Sequence, residues 1–105
     1  MIKQNEKTIK TAIRKLIKEC EKHGFMLSSF NDGGGIEQCD NNTPIDTFTG
    51  AEEVCLRFRR NDNQGLSFYL VFDYSDTIDC LIADGASAEH NIPLWNEIAE
   101  TIQSQ

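Results

Sequence analysis

The stretch that decides the fold is Val54-Cys55-Leu56-Arg57-Phe58-Arg59-Arg60, followed across Asn61-Asp62-Asn63-Gln64-Gly65 by Leu66-Ser67-Phe68-Tyr69-Leu70-Val71-Phe72-Asp73-Tyr74. Side chains alternate through both runs. Val54, Leu56 and Phe58 fall on one side of the first run, and Leu66, Phe68, Leu70 and Phe72 on one side of the second. A period of two marks a strand buried on one face only. A polar five-residue loop ending in Gly, set between two such runs, reads as a β-hairpin. Its second face carries Cys55, Arg57 and Arg59 on one strand, with Ser67, Tyr69, Val71 and Asp73 on the other.

Outward from the hairpin, residues 4–23 form an amphipathic helix. Ile9, Ala12, Ile13, Leu16, Ile17 and Cys20 make one apolar stripe, and Gly24 supplies a left-handed stop. Residues 25–31 read as a strand that turns at Asp32-Gly33, an Asp-Gly hairpin signal, into a short return strand at residues 36–39. Thr43-Pro44-Ile45-Asp46 looks like a helix start, with Thr43 as N-cap and Gly50 ending it within two turns. Ser75-Asp76-Thr77 is a turn, and residues 80–83 are a short strand ended by Asp84-Gly85. Asn91 then caps a last helix with Pro93 in its first turn and Leu94, Trp95, Ile98, Ala99 and Ile102 as its stripe. The order is α-β-β-α-β-β-β-α. Tight turns between neighbouring strands predict an α+β fold in one domain over residues 1–105. A largely antiparallel sheet of about five strands carries the N- and C-terminal helices.

Composition bounds the function. The chain has 105 residues, 39% hydrophobic and 26% charged, which argues against disorder. No apolar run approaches the roughly 18–20 residues of a membrane span, and the N-terminus leads into a charged helix rather than a signal sequence. Cys20, Cys39, Cys55 and Cys80 contain no Cys-x-x-Cys pair, so they read as reduced thiols of a cytoplasmic protein. The formal charge is −7, but unevenly placed. Residues 1–23 hold seven bases against three acids, a balance of +4. The other 82 residues hold Arg57, Arg59 and Arg60 against 14 acids, a balance of −11.

No catalytic residue, metal site or cofactor is expected. The chain lacks a Gly-x-Ser-x-Gly elbow and a His-Glu-x-x-His motif, and no helix follows Gly33-Gly34-Gly35 to cradle a phosphate. His23 sits at a helix end, His90 in a connection, and the cysteines follow no ligand spacing. Asp73, Asp76, Asp79 and Asp84 gather near one end of the sheet, where a cation site competes with ordinary turn roles. The more suggestive set is Arg57, Arg59, Tyr69 and Val71. If Arg57 and Arg59 lie across the hairpin from Tyr69 and Val71, they form a surface of the residue types favoured in protein contacts. The basic side of the first helix, with Lys3, Lys7, Lys10, Arg14, Lys18 and Lys22, is the alternative, facing phosphates or an acidic protein.

Several features in this order resemble a known group: the helix ending in Gly24, the strand closing on Asp32-Gly33, the capped segment after Thr43, and the strands at residues 54–60, 66–74 and 79–84. The chain resembles small uncharacterised proteins carried by phages and integrated mobile elements of proteobacteria, over about residues 10–85. The resemblance implies a cytoplasmic accessory protein and no activity. The resulting expectation is a non-enzymatic regulator, inhibitor or accessory factor that binds a protein partner or a second copy through Arg57, Arg59, Tyr69 and Val71. The alternatives are a nucleic-acid binder using the first helix, which the acidic balance disfavours, and an acidic DNA mimic using Asp73, Asp76 and Asp79.

Overall fold

The structure, a computed structural model, describes residues 2–83 and 92–104. Asn5 starts the first helix, α1 (Glu6–Lys22). Its side chain accepts from the Thr8 amide at 2.9 Å, while the Thr8 hydroxyl accepts from the Asn5 amide at 2.8 Å. This reciprocal box satisfies two of the amides that a helix start leaves unpaired. It also moves the helix start two residues beyond Gln4, which lies outside the helix and is buried. Gly24, at φ +83°, takes the chain out of α1. The stripe Ile9, Ala12, Ile13, Leu16, Ile17 and Cys20 is buried as predicted.

Five strands follow: β1 (Met26–Asn31), β2 (Ile36–Gln38), β3 (Glu53–Arg59), β4 (Gly65–Val71) and β5 (Ile82–Ala83). They form one antiparallel sheet in the order β2-β1-β3-β4-β5. A second helix, α2 (Ile92–Gln103), completes the fold. The α+β architecture and the order of elements are those expected from the sequence.

Four local readings change. The loop joining β1 to β2 has four residues, Asp32–Gly35, with Gly33 and Gly35 at positive φ, rather than a two-residue Asp-Gly turn. The segment after Thr43 is a single 3₁₀ turn, Ile45–Phe48, and no side chain caps it. The Thr43 hydroxyl instead accepts from the Asp40 amide at 3.0 Å. What holds this turn is Phe48, fully buried and edge-on to Phe30 at 5.2 Å. Residues 78–80 are likewise a 3₁₀ turn, so the final strand shrinks to Ile82–Ala83. Strand β4 ends at Val71, short of the expected Tyr74, although the Phe72 amide still donates to the Glu52 carbonyl at 2.9 Å in register with the ladder. The expected Asn91 cap, His90 and Asp84 lie outside the described residues.

Both helices pack on one face of the sheet. Val54, Leu56, Phe58, Leu66, Phe68 and Leu70 join the α1 stripe and Ile98, Ala99 and Ile102 of α2 in one buried cluster. Trp95 of α2 stacks on Phe68 with ring centroids 5.4 Å apart and planes 10° from parallel. Its indole N–H donates to the Ser67 carbonyl at 2.8 Å. An aromatic ring with a polar edge is buried best when that edge finds an acceptor, as here. With the helices on the inner face, the other face of the sheet is left open among the described residues.

Candidate functional site: the open face of the sheet

Directly paired residues of an antiparallel sheet point to the same side. The pairings therefore define the open face. Its outward positions are Ile36 and Gln38 on β2; Met26, Ser29 and Asn31 on β1; Glu53, Cys55, Arg57 and Arg59 on β3; Gly65, Ser67, Tyr69 and Val71 on β4; and Ala83 on β5. One row, Ile36-Asn31-Cys55-Tyr69-Ala83, crosses all five strands. Three of the exposed large apolar side chains, Met26, Ile36 and Tyr69, stand on this face. A single isolated apolar residue on a surface is ordinary, whereas several on one face mark a contact surface.

Arg57, Arg59, Tyr69 and Val71 do share this face, but not as the paired block expected. Arg57 lies across from Ser67, Arg59 from Gly65, Tyr69 from Cys55, and Val71 from Glu53. The reason is the loop. The Arg60 amide donates to the Gln64 carbonyl and the Asn63 amide to the Arg60 carbonyl, both at 3.0 Å, and Asn63 takes φ +65°. This closure sets Arg59 against Gly65 and fixes every later pair. Arg57 and Tyr69 become diagonal neighbours. Arg59 and Val71 lie at opposite ends of the hairpin, six residues apart along β4, or about 20 Å.

A guanidinium-on-ring contact is made off this face. Arg60, next in the chain, stands over Phe25 at 4.7 Å. It also grips Asp62 through Nε at 3.1 Å and Nη2 at 2.8 Å. That bidentate pair raises the Arg60 pKa and lowers that of Asp62. Tyr69 has a carboxylate neighbour instead: hydrogen bonding to Glu53 is the main reason its phenol pKa is raised.

Electrostatically the open face differs from the rest of the chain. Among the acids of the described residues only Glu53 occupies an outward sheet position, and it is engaged with Tyr69. Arg57 and Arg59 form no side-chain hydrogen bond or ion pair among the described residues. In a chain with 17 acids and 10 bases, two exposed arginines without a carboxylate partner among the described residues mark a face from which the described acids are held away.

The other candidates resolve into structural roles. Asp73 accepts from the Ser75 amide and hydroxyl, Asp76 from the Thr77 amide, and Asp79 from the Thr77 hydroxyl. These are turn-closing contacts. No group of three or more His, Cys, Asp or Glu side chains among the described residues is placed to hold a metal ion. All four cysteines are free thiols. Burial pushes Cys20 far above its ordinary pKa and Cys39 up to about 11, while hydrogen bonding to Asp76 raises the exposed Cys80. His23 occupies the C-cap of α1. A hollow of about 180 Å³ between α1 and the end of β4, lined by Ile9, Phe72, Tyr74, Glu6 and Glu52, is smaller than the roughly 300–1,000 Å³ of ligand pockets.

Sequence reasoning missed one tie. Gln4 donates to the Thr77 carbonyl and accepts from the Asp73 amide, each at 3.0 Å, and its amide donates to the Asp76 carbonyl at 2.9 Å. These bonds fasten the N-terminal segment to the turn at residues 73–78. The only sequence trace was a polar residue one step before a strong N-cap.

No protein-family model, curated protein or solved structure matches the chain. No helix of the described residues is long and apolar enough to cross a membrane. The functional reading therefore stands on the geometry of the chain itself.

Proposed function

We propose that this protein is a cytoplasmic, non-enzymatic binding module whose partner is another protein seated on the open face of the sheet. The observation that carries the reading is the pair Arg57 and Arg59, exposed and without a carboxylate partner among the described residues, beside the exposed Met26 and Tyr69. Arg, Tyr and Met are enriched in protein interfaces, and an interface needs an apolar contact with a polar, satisfiable surround. The partner surface would present carboxylates toward Arg57 and Arg59. Bidentate Arg–carboxylate bonds then fix its orientation.

Size favours a transient complex over an obligate dimer. Five strands about 4.8 Å apart and up to seven residues at about 3.4 Å give a projected face near 400–500 Å². Obligate homodimers bury roughly 2,000 Å² or more in total, while transient signalling contacts lie at or below about 1,200 Å². The accessory role in phages or mobile elements, implied by resemblance, fits a small transient binder.

The test is capture of the partner by the tagged full-length chain, in parallel with an Arg57→Ala/Arg59→Ala variant. The variant should lose the partner while keeping its melting temperature, since neither side chain makes a hydrogen bond or ion pair among the described residues. Undiminished capture by the variant would remove the open face from the account.

A further inference from the structure

We infer that the outer ridge of α1 is a second binding surface, independent of the sheet face, that takes the sugar–phosphate backbone of a nucleic acid. At 3.6 residues per turn, Lys7, Thr11, Arg14, Lys18 and Lys22 follow one another along a single ridge opposite the buried stripe. The ridge is about 22 Å long, from 15 residues at about 1.5 Å each. It carries four cations, of which Lys22 is paired with Glu19 and the other three make no ion pair among the described residues.

The three acids of α1 each have a partner. Glu6 pairs with Lys10 at 2.9 Å, Glu19 with Lys22 at 2.8 Å, and Glu21 accepts from the Asn41 amide group at 2.8 Å. Asp46 reaches α1 from the first 3₁₀ turn, but it takes Lys10 at 2.6 Å, beside the ridge rather than on it. Lys7, Arg14 and Lys18 make no ion pair among the described residues and stay exposed. Three of the four ridge cations, Lys7, Arg14 and Lys18, thus keep their charge uncompensated by an ion pair among the described residues.

Composition selects the partner. Protein interfaces have an apolar centre and are depleted in Lys. This ridge has no apolar or aromatic side chain and is dominated by Lys, the inverse of the open sheet face. Phosphate contacts need only such cations, without an apolar centre. Contacts to phosphate carry no sequence information, so binding through this ridge is without sequence preference. The fold therefore carries two surfaces of different chemistry, a protein-binding sheet face and a phosphate-binding helix ridge. A chain with both could hold a protein partner beside nucleic acid.

The experiment is fluorescence anisotropy of a short labelled DNA duplex titrated with the full chain. Three neutralised phosphates predict a slope of log K against log salt near −2.7, about a 40-fold loss of affinity between about 50 and 200 mM salt. A Lys7→Glu/Arg14→Glu/Lys18→Glu variant should not bind even at the lowest salt, and the milder Lys7→Gln/Arg14→Gln/Lys18→Gln variant should flatten the slope. Circular dichroism verifies that each is folded. The Arg57→Ala/Arg59→Ala variant should bind the duplex like the parent chain, so failure of the sheet-face reading leaves this one standing. Three outcomes would overturn the inference. They are no binding at about 50 mM salt, unchanged binding by the folded triple variants, or labelled polyglutamate bound as tightly as the duplex, which would make the ridge a surface for acidic proteins.

Discussion

Phe68 and Tyr69 are adjacent in β4 and point to opposite faces, so truncating each in turn measures which face is open. Phe68 is fully buried, stacked on Trp95 at 5.4 Å and edge-on to Phe58 at 5.9 Å. Phe68→Ala removes both ring contacts and leaves a cavity under α2, which costs about 3–5 kcal/mol. For a domain of this size each kcal/mol lowers the melting temperature by about 4–8 °C, so the fall should be roughly 15–30 °C. Tyr69 keeps 37% of its surface exposed; its cross-strand partners are Cys55 and Ala83, and it hydrogen-bonds Glu53. Tyr69→Ala should cost at most about 1 kcal/mol. Thermal and urea unfolding followed by circular dichroism give both values, and an unchanged urea m-value certifies that stability alone has moved. Equal losses from the two substitutions would refute the reasoning, because they would mean that the outer face is covered.

Three further outcomes follow from the local contacts. Asn5→Ala removes the capping box of α1 and should lower stability by about 1 kcal/mol, read by urea unfolding. Gly24→Ala places a Cβ at φ +83° and 3.3 Å from the Arg60 side chain, so it should cost about 1 kcal/mol or more in the same assay. Asp46 has its pKa lowered, first by its hydrogen bond to Lys10 and then by that lysine's charge. A lowered carboxyl pKa contributes stability in full above the unfolded value of about 4, and loses it as pH falls through the folded value. Asp46→Asn should therefore be slightly less stable than the parent at pH 7, with the two melting curves converging in acid.

Much of the architecture was legible because it rests on periodicity. The α1 stripe and the alternation of Val54–Phe58 and Leu66–Leu70 each report burial directly, and all of those side chains are buried. Parity survived in the hairpin for the same reason: with both apolar sets turned inward, Arg57, Arg59, Tyr69 and Val71 share a face in every register that differs by an even shift. The register itself did not. It depends on how residues 60–64 close, through two backbone hydrogen bonds and the positive φ of Asn63, and side-chain pattern says nothing of that. The helix expected after Thr43 shrank to a 3₁₀ turn because tertiary packing of Phe48 against Phe30 outweighs the local capping signals. The structure also separated arginines that look equivalent in sequence. Arg60 is tied to Asp62 and Phe25, while Arg57 and Arg59 remain without a partner among the described residues.

The central claim is that a partner protein seats on the open sheet face beside Arg57 and Arg59. Its most direct measurement is photo-crosslinking in the native host from a photoreactive residue at Ser67, which lies across from Arg57, compared with the same residue at Asn63 in the hairpin loop. The account predicts one crosslinked protein from position 67, none from position 63, and loss of the product in the Arg57→Ala/Arg59→Ala background. A product from position 63 alone, or one from position 67 that persists without the two arginines, would contradict it.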